Sequence, residues 1–161
     1  MRRRTAGLIS ALAIGSDLAV KSWVESSLPF EQPVPVIPFL SWYRTWNEGI
    51  AFSFLSFLND WVLVGITVLI IIFVLWLWQH TLRERWLSQL GFALVFGGAI
   101  GNLFDRVFLG HVVDFIMVHT DTWSFAIFNL ADSFISVGAA AIILDEILSG
   151  FRELNKPKSG A

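Results

Sequence analysis

Two aspartates stand among apolar neighbours: Asp114 inside VVDF (112–115) and Asp132 at the end of FNLAD (128–132). Two carboxylates brought within a few ångströms cannot both ionise comfortably. One is held protonated above the ordinary value of about 3.9 while the other stays charged. The charged member of such a pair can take a proton from water while the neutral member polarises a carbonyl, which is general acid/base hydrolysis. Asn129, three residues before Asp132, reads as the N-cap of a helix. Asp132 then falls in the first turn, where the macrodipole favours negative charge. Alone, Asp132 reads as a capping residue; only the pair suggests chemistry. For the two to meet, they must lie at similar depth and the chain between them must fold back.

Other polar residues also sit in apolar surroundings. Asp17 and Lys21 are four apart, so they share a helix face and can pair, which orients and neutralises both. A Ser/Lys hydrolase with Lys21 as base is the sharper alternative, but no serine is marked as its partner by a local motif. Further on, GGAIGNLFDRV places Gly97, Gly98 and Gly101 on a surface that lets another helix approach closely. Asn102, Asp105 and Arg106 follow at its end. Adjacent residues on a helix do not face each other, so Asp105 and Arg106 each need a partner elsewhere.

The elements that must position these residues are those of a membrane protein. Of 161 residues, 55% are apolar and 15% charged, and the mean hydropathy is +0.67, far outside the soluble range. Four spanning helices are expected, at about 5–24, 61–79, 86–104 and 130–150, the middle two free of charge and long enough to cross about 30 Å of hydrocarbon. Arg2, Arg3 and Arg4 before an apolar run also resemble the start of a secretory signal, but Asp17 and Lys21 occupy the place of a cleavage region. Of the 11 Lys and Arg, eight (Arg2, Arg3, Arg4, Arg83, Arg85, Arg152, Lys156, Lys158) fall at the termini or in the second connection, and three (Lys21, Arg44, Arg106) on the other side. The positive-inside rule therefore puts both termini in the cytoplasm.

Two outer segments remain, about 25–60 and 106–128. Pro29, Pro33, Pro35 and Pro38 exclude helix from the start of the first. Aromatic and β-branched residues on both sides of Asn47-Glu48-Gly49 then suggest strands about a turn, in a small β-rich extracytoplasmic flap from Trp42 to Phe57 that closes over the site. The expected fold is thus an all-α integral membrane protein of one domain, 1–161, with four transmembrane helices and this flap. There is no cysteine, which excludes disulfides, thiolate metal sites and a cysteine nucleophile. His80, His111 and His119 show no ligand spacing, and a net charge of −2 points to no nucleic acid.

Read in order, DLAVK (17–21), NEGIAFS (47–53), GNLFDR (101–106), VVDF and FNLAD resemble the lipoprotein signal peptidase family, also called signal peptidase II, across nearly the whole chain. The resemblance implies an intramembrane aspartic endopeptidase of the bacterial cytoplasmic (inner) membrane, working at the outer face. Its substrates are prolipoproteins, cut immediately before a lipid-modified cysteine. It implies Asp114 and Asp132 as the catalytic pair. Asn47, Gly49, Asn102, Arg106 and Asn129 match the residues lining or bracing the substrate site, and Asp17, Lys21 and Asp105 are supporting residues. No cofactor or metal is implied, the partners are substrate and membrane lipids, and a monomer is expected. One departure stands out: the family pattern leads to a proline shortly before Phe128, where this chain has Phe125-Ala126-Ile127. A proton-coupled transporter is the competing class, but it predicts acids near the midplane and an internal repeat. A non-catalytic scaffold would need no matched acids at one depth.

Overall fold

A computed structural model describes residues 1, 3–49, 60–120 and 122–154. Four long helices, α1 (Arg3–Ser27), α2 (Asp60–His80), α3 (Trp86–Phe108) and α4 (Leu130–Leu154), are interleaved with three strands, β1 (Pro33–Ile37), β2 (Leu40–Asn47) and β3 (Val112–Val118). All four helices are long and apolar enough to cross a membrane, as the four apolar runs predict. Each extends past its expected limits. α3 runs one turn beyond 104, so Arg106 belongs to the helix rather than to the outer segment expected from 106.

At the centre of the bundle is α3, on which α1, α2 and α4 all pack. Glycines make the α3–α4 contact close: a Cβ on Gly98 would collide with the Ala131 carbonyl oxygen and lie 2.9 Å from Ile135 Cγ1. Around α2 the surface is apolar on every side, and most of its large side chains are exposed, as expected of a helix bathed in lipid. At the end away from the strands, Arg85 ties α3 to α4 through Asp145 (2.8 Å) and Glu146 (2.6 Å).

The strands form one antiparallel sheet in the order β1-β2-β3, at the end of the bundle where α1 and α3 finish and α4 begins. Pro33 and Pro35 are tolerated because β1 is an edge strand. The expected hairpin around Asn47-Glu48-Gly49 is not what pairs β2. Its partners are β1, through a turn at Pro38-Phe39, and β3 on its other side. The second half of the expected flap, 50–57, lies outside the described residues. β3 itself was not expected as a strand. Val24, Val113 and Phe115 form a fully buried cluster with Trp42, Leu28 and Leu130 against it, locking the sheet onto the ends of α1 and α4.

Candidate active site

The register between β2 and β3 sets Thr45 opposite Asp114, and Asn47, two residues along, shares that face. Asn47 Nδ2 donates to Asp114 Oδ2 at 2.8 Å. After Asn47 the chain turns: Gly49 N donates to Asn47 Oδ1 at 3.0 Å, with Gly49 at φ 100°, in the region that favours glycine. A Cβ there would also collide with the Leu63 side chain.

Beyond β3 the chain doubles back. Phe128 exchanges backbone hydrogen bonds with Ile116 (3.1 and 2.8 Å), and Phe125 N donates to the Val118 carbonyl at 2.8 Å. This return brings FNLAD beside VVDF, as the acid pair requires. Asn129 and Asp132 then cap α4 reciprocally. Asp132 N donates to Asn129 Oδ1 at 2.9 Å, and Asn129 N donates to Asp132 Oδ2 at 3.3 Å, so two otherwise orphaned backbone donors are satisfied.

The amide of Asn129 joins the two acids. Its Nδ2 donates to Asp114 Oδ1 at 2.7 Å and to Asn102 Oδ1 at 3.1 Å, while Asn102 Nδ2 donates to Asp132 Oδ1 at 2.8 Å. Behind this layer, Lys21 Nζ meets Asp17 Oδ2 (2.8 Å), Asp105 Oδ2 (2.9 Å) and Asn102 Oδ1 (3.0 Å). Each carboxylate also receives a backbone donor: Ala131 N on Asp17 at 2.9 Å and Val113 N on Asp105 at 3.2 Å. Buried charges are tolerated only when paired and hydrogen-bonded in this way. Asp17 and Asp105 thus reach from α1 and α3 to the backbones of α4 and β3, the two elements that carry Asp132 and Asp114. Arg106 Nη1 donates to the Asn102 carbonyl at 3.4 Å, and its charge acts on Asp132 and Asp114.

All ten residues singled out in the sequence therefore belong to one connected polar network. Burial pushes the Asp114 carboxyl up to about 6; the charge of Asp132 adds to this, while hydrogen bonds from Asn47 and Asn129 oppose it. Asp114 opens onto a cavity of about 290 Å³ walled by Thr45, Trp46, Ala126 and Ile127. These wall residues were not picked out from sequence. Thr45 and Trp46 fall in the flap expected over the site, and Ala126 and Ile127 are the positions where the expected proline is missing. An acid whose pKa is raised toward neutrality, bridged to a second acid and facing a cavity, can protonate or polarise a group placed there.

Four helices of spanning length, with two aspartates linked through asparagine side chains at one end, define a multi-pass membrane protein. The sequence model of the family "Signal peptidase (SPase) II" matches residues 9–148. A lipoprotein signal peptidase of Sinorhizobium fredii is 53% identical over 141 residues, covering 88% of this chain and 85% of the relative. One from Brucella ovis is 53% identical over 142 residues, covering 88% and 89%. A solved structure described as a bacterial membrane enzyme, determined in meso at 2.3 Å, superposes with a TM-score of 0.84 at 30% identity over 99% of this chain and 96% of the other. A second, at 1.9 Å, gives 0.77 at 31% identity over 88% and 92%. The chain belongs to the signal peptidase II family. It is accordingly a multi-pass membrane peptidase that removes signal peptides from lipoproteins, and the transporter and scaffold alternatives fall away.

Proposed function

We propose that the peptidase is an aspartic endopeptidase, with Asp114 and Asp132 as its catalytic pair, cutting diacylglyceryl-modified prolipoproteins immediately before the lipidated cysteine. The observation that carries this reading is the bridge through Asn129, which holds Asp132 in one hydrogen-bonded unit with Asp114, the acid that faces the cavity. Asp132, which caps α4 and feels the charge of Arg106, takes the part of the general base. Asp114, buried and raised, is the protonated one.

Water attacks the scissile carbonyl carbon and gives a proton to Asp132, while Asp114 donates its proton to the carbonyl oxygen, leaving a neutral tetrahedral diol. Collapse of the diol returns one hydroxyl proton to Asp114. Asp132 passes its proton to the departing nitrogen as the C–N bond breaks, and the pair regains its starting charge. Asn47 and Asn129 position Asp114, Asn102 positions Asp132, and Gly49 shapes the turn after Asn47. Asp17, Lys21 and Asp105 brace the elements carrying both acids. The protein acts as a monomeric, single-domain enzyme of the bacterial inner membrane, termini in the cytoplasm and site at the outer face. There a substrate anchored by its lipid and its apolar segment presents the bond.

The test is cleavage of a lipid-modified prolipoprotein in liposomes by wild type, Asp114→Asn and Asp132→Asn, with folding checked by thermal denaturation. Both variants are expected to bind substrate and lose turnover by at least about 100-fold, the scale of general acid/base contributions. Near-normal turnover in either folded variant removes that residue from the pair.

A further inference from the structure

At the end of the bundle away from the sheet, α1 and α2 part around a cavity of about 630 Å³. Both helices pack on α3, so the cavity occupies the cleft between them. Its lining has two characters. Ala6 and Gly7 of α1 and Leu75 of α2 form an apolar wall continuous with the lipid-facing surface. Arg3, Gln79 and Arg83 bring hydrogen-bond donors nearer the helix ends.

Most polar groups on the floor are already satisfied. Trp78 Nε1 donates to Gln89 Oε1 at 2.7 Å, and Gln89 Nε2 donates to the Thr81 and Leu82 carbonyls at 3.2 and 3.4 Å. The two guanidinium groups differ. Among the described residues, Arg85 is held by Asp145 and Glu146, whereas Arg3 and Arg83 have no carboxylate partner. Open space also remains in the wall, because nothing lies within 4 Å of a Cβ built on Gly7.

We propose that this cavity is a binding site for an anionic phospholipid of the adjacent leaflet, its phosphate held by Arg3 and Arg83 and an acyl chain lying in the cleft between α1 and α2. Two unneutralised guanidiniums select a phosphate, and a basic pocket between spanning helices at a membrane surface is where an anionic headgroup fits. The apolar wall selects an amphiphile over a free anion. Trp78 lies in the last turn of α2, and tryptophan is favoured at the ends of spanning helices, where headgroups lie. The bound lipid fills the gap beside α2, which among the described elements packs chiefly on α3. This site is remote from the acid pair and does not depend on the reaction proposed for it.

The experiment uses the purified full chain, delipidated in neutral detergent and titrated with phosphatidylglycerol, phosphatidylcholine or glycerol phosphate, with occupancy read by native mass spectrometry. Phosphatidylglycerol is expected to bind more tightly than phosphatidylcholine, and glycerol phosphate at equal concentration to leave it in place. Arg3→Gln and Arg83→Gln each weaken phosphatidylglycerol about fivefold, and Gly7→Leu abolishes binding by filling the wall. Arg4→Gln, a neighbour that does not line the cavity, leaves affinity unchanged. Equal affinity for the two lipids, displacement by glycerol phosphate, or an equal loss in Arg4→Gln and Arg3→Gln overturns the proposal. If Gly7→Leu does not fold, the arginine variants decide alone. Asp114→Asn retains the site, which keeps this outcome separate from that of the protease reading.

Discussion

The oxygens of Asp114 accept hydrogen bonds from two neutral amides, Asn47 and Asn129, not from a cation, so burial wins and its pKa rises to about 6. The folded protein then holds this proton more tightly than the unfolded chain, whose reference is 3.8. Stability is accordingly lost as pH rises from 3.8 through about 6, by up to about 3 kcal/mol for this group. Thermal denaturation across that window should slope downward for wild type and flatten for Asp114→Asn; parallel slopes would show that Asp114 is not the titrating group. For activity, the singly protonated pair is depleted as pH rises past the same value. The basic limb of kcat/KM should therefore begin near 6, an apparent value that belongs to the pair. Asn129 carries a separate prediction, because one side chain both caps α4 and holds Asp114. Asn129→Ala should cost about 1 kcal/mol of stability through the cap and about 2- to 10-fold in kcat through the lost hydrogen bond that positions Asp114. Asn129→Ser, which can still cap, should recover the stability but not the turnover.

At the scale of elements, the acid pair depends on how closely α3 and α4 approach. Gly98 faces the Ala131 carbonyl and Ile135 in the first turns of α4, next to Asp132. Gly98→Val should force the helices apart, costing about 1–3 kcal/mol and lowering turnover. Gly15→Ala, with nothing within 4 Å, should do neither, and equal effects in the two would mean the approach is not limiting. The two middle helices were legible in the sequence because an uncharged run of spanning length has few other physical readings, and the outer two because their charges fall near the ends, where they can reach the interface. The sheet was not. VVDFIMV is a short apolar run that periodicity alone does not tell from a helical end or a surface segment, and its pairing with LSWYRTWN links residues some 70 positions apart. The extra turn of α3 escaped for a related reason: Asp105 and Arg106 look like loop residues until Lys21 and the Val113 backbone supply partners. The ten residues of the polar network were legible as short motifs, but the backbone contacts Asp17 to Ala131 and Asp105 to Val113 were not, since a main-chain donor carries no sequence signal.

For the whole molecule, the buried triad of Asp17, Lys21 and Asp105 is what connects the bundle to the sheet. It touches α1, α3, β3 and α4 at once. Removing Lys21 alone leaves two carboxylates buried without a cation, a loss of about 3–5 kcal/mol, so Lys21→Met should fail to accumulate or melt far below wild type. Replacing all three with neutral groups, as Asp17→Asn/Lys21→Met/Asp105→Asn, removes the uncompensated charge, and such replacements are often neutral for stability. The triple variant should therefore fold better than the single one. Its activity then separates bracing from electrostatic influence on the site. Lys21 also lowers the Asp114 pKa through its charge, so a folded triple variant should show the basic limb of kcat/KM displaced upward. A folded triple variant with wild-type turnover and an unmoved limb would mean that the triad only braces the fold. A displaced limb with turnover retained would mean that the same buried lysine that holds four elements together also sets the pH at which the acid pair works.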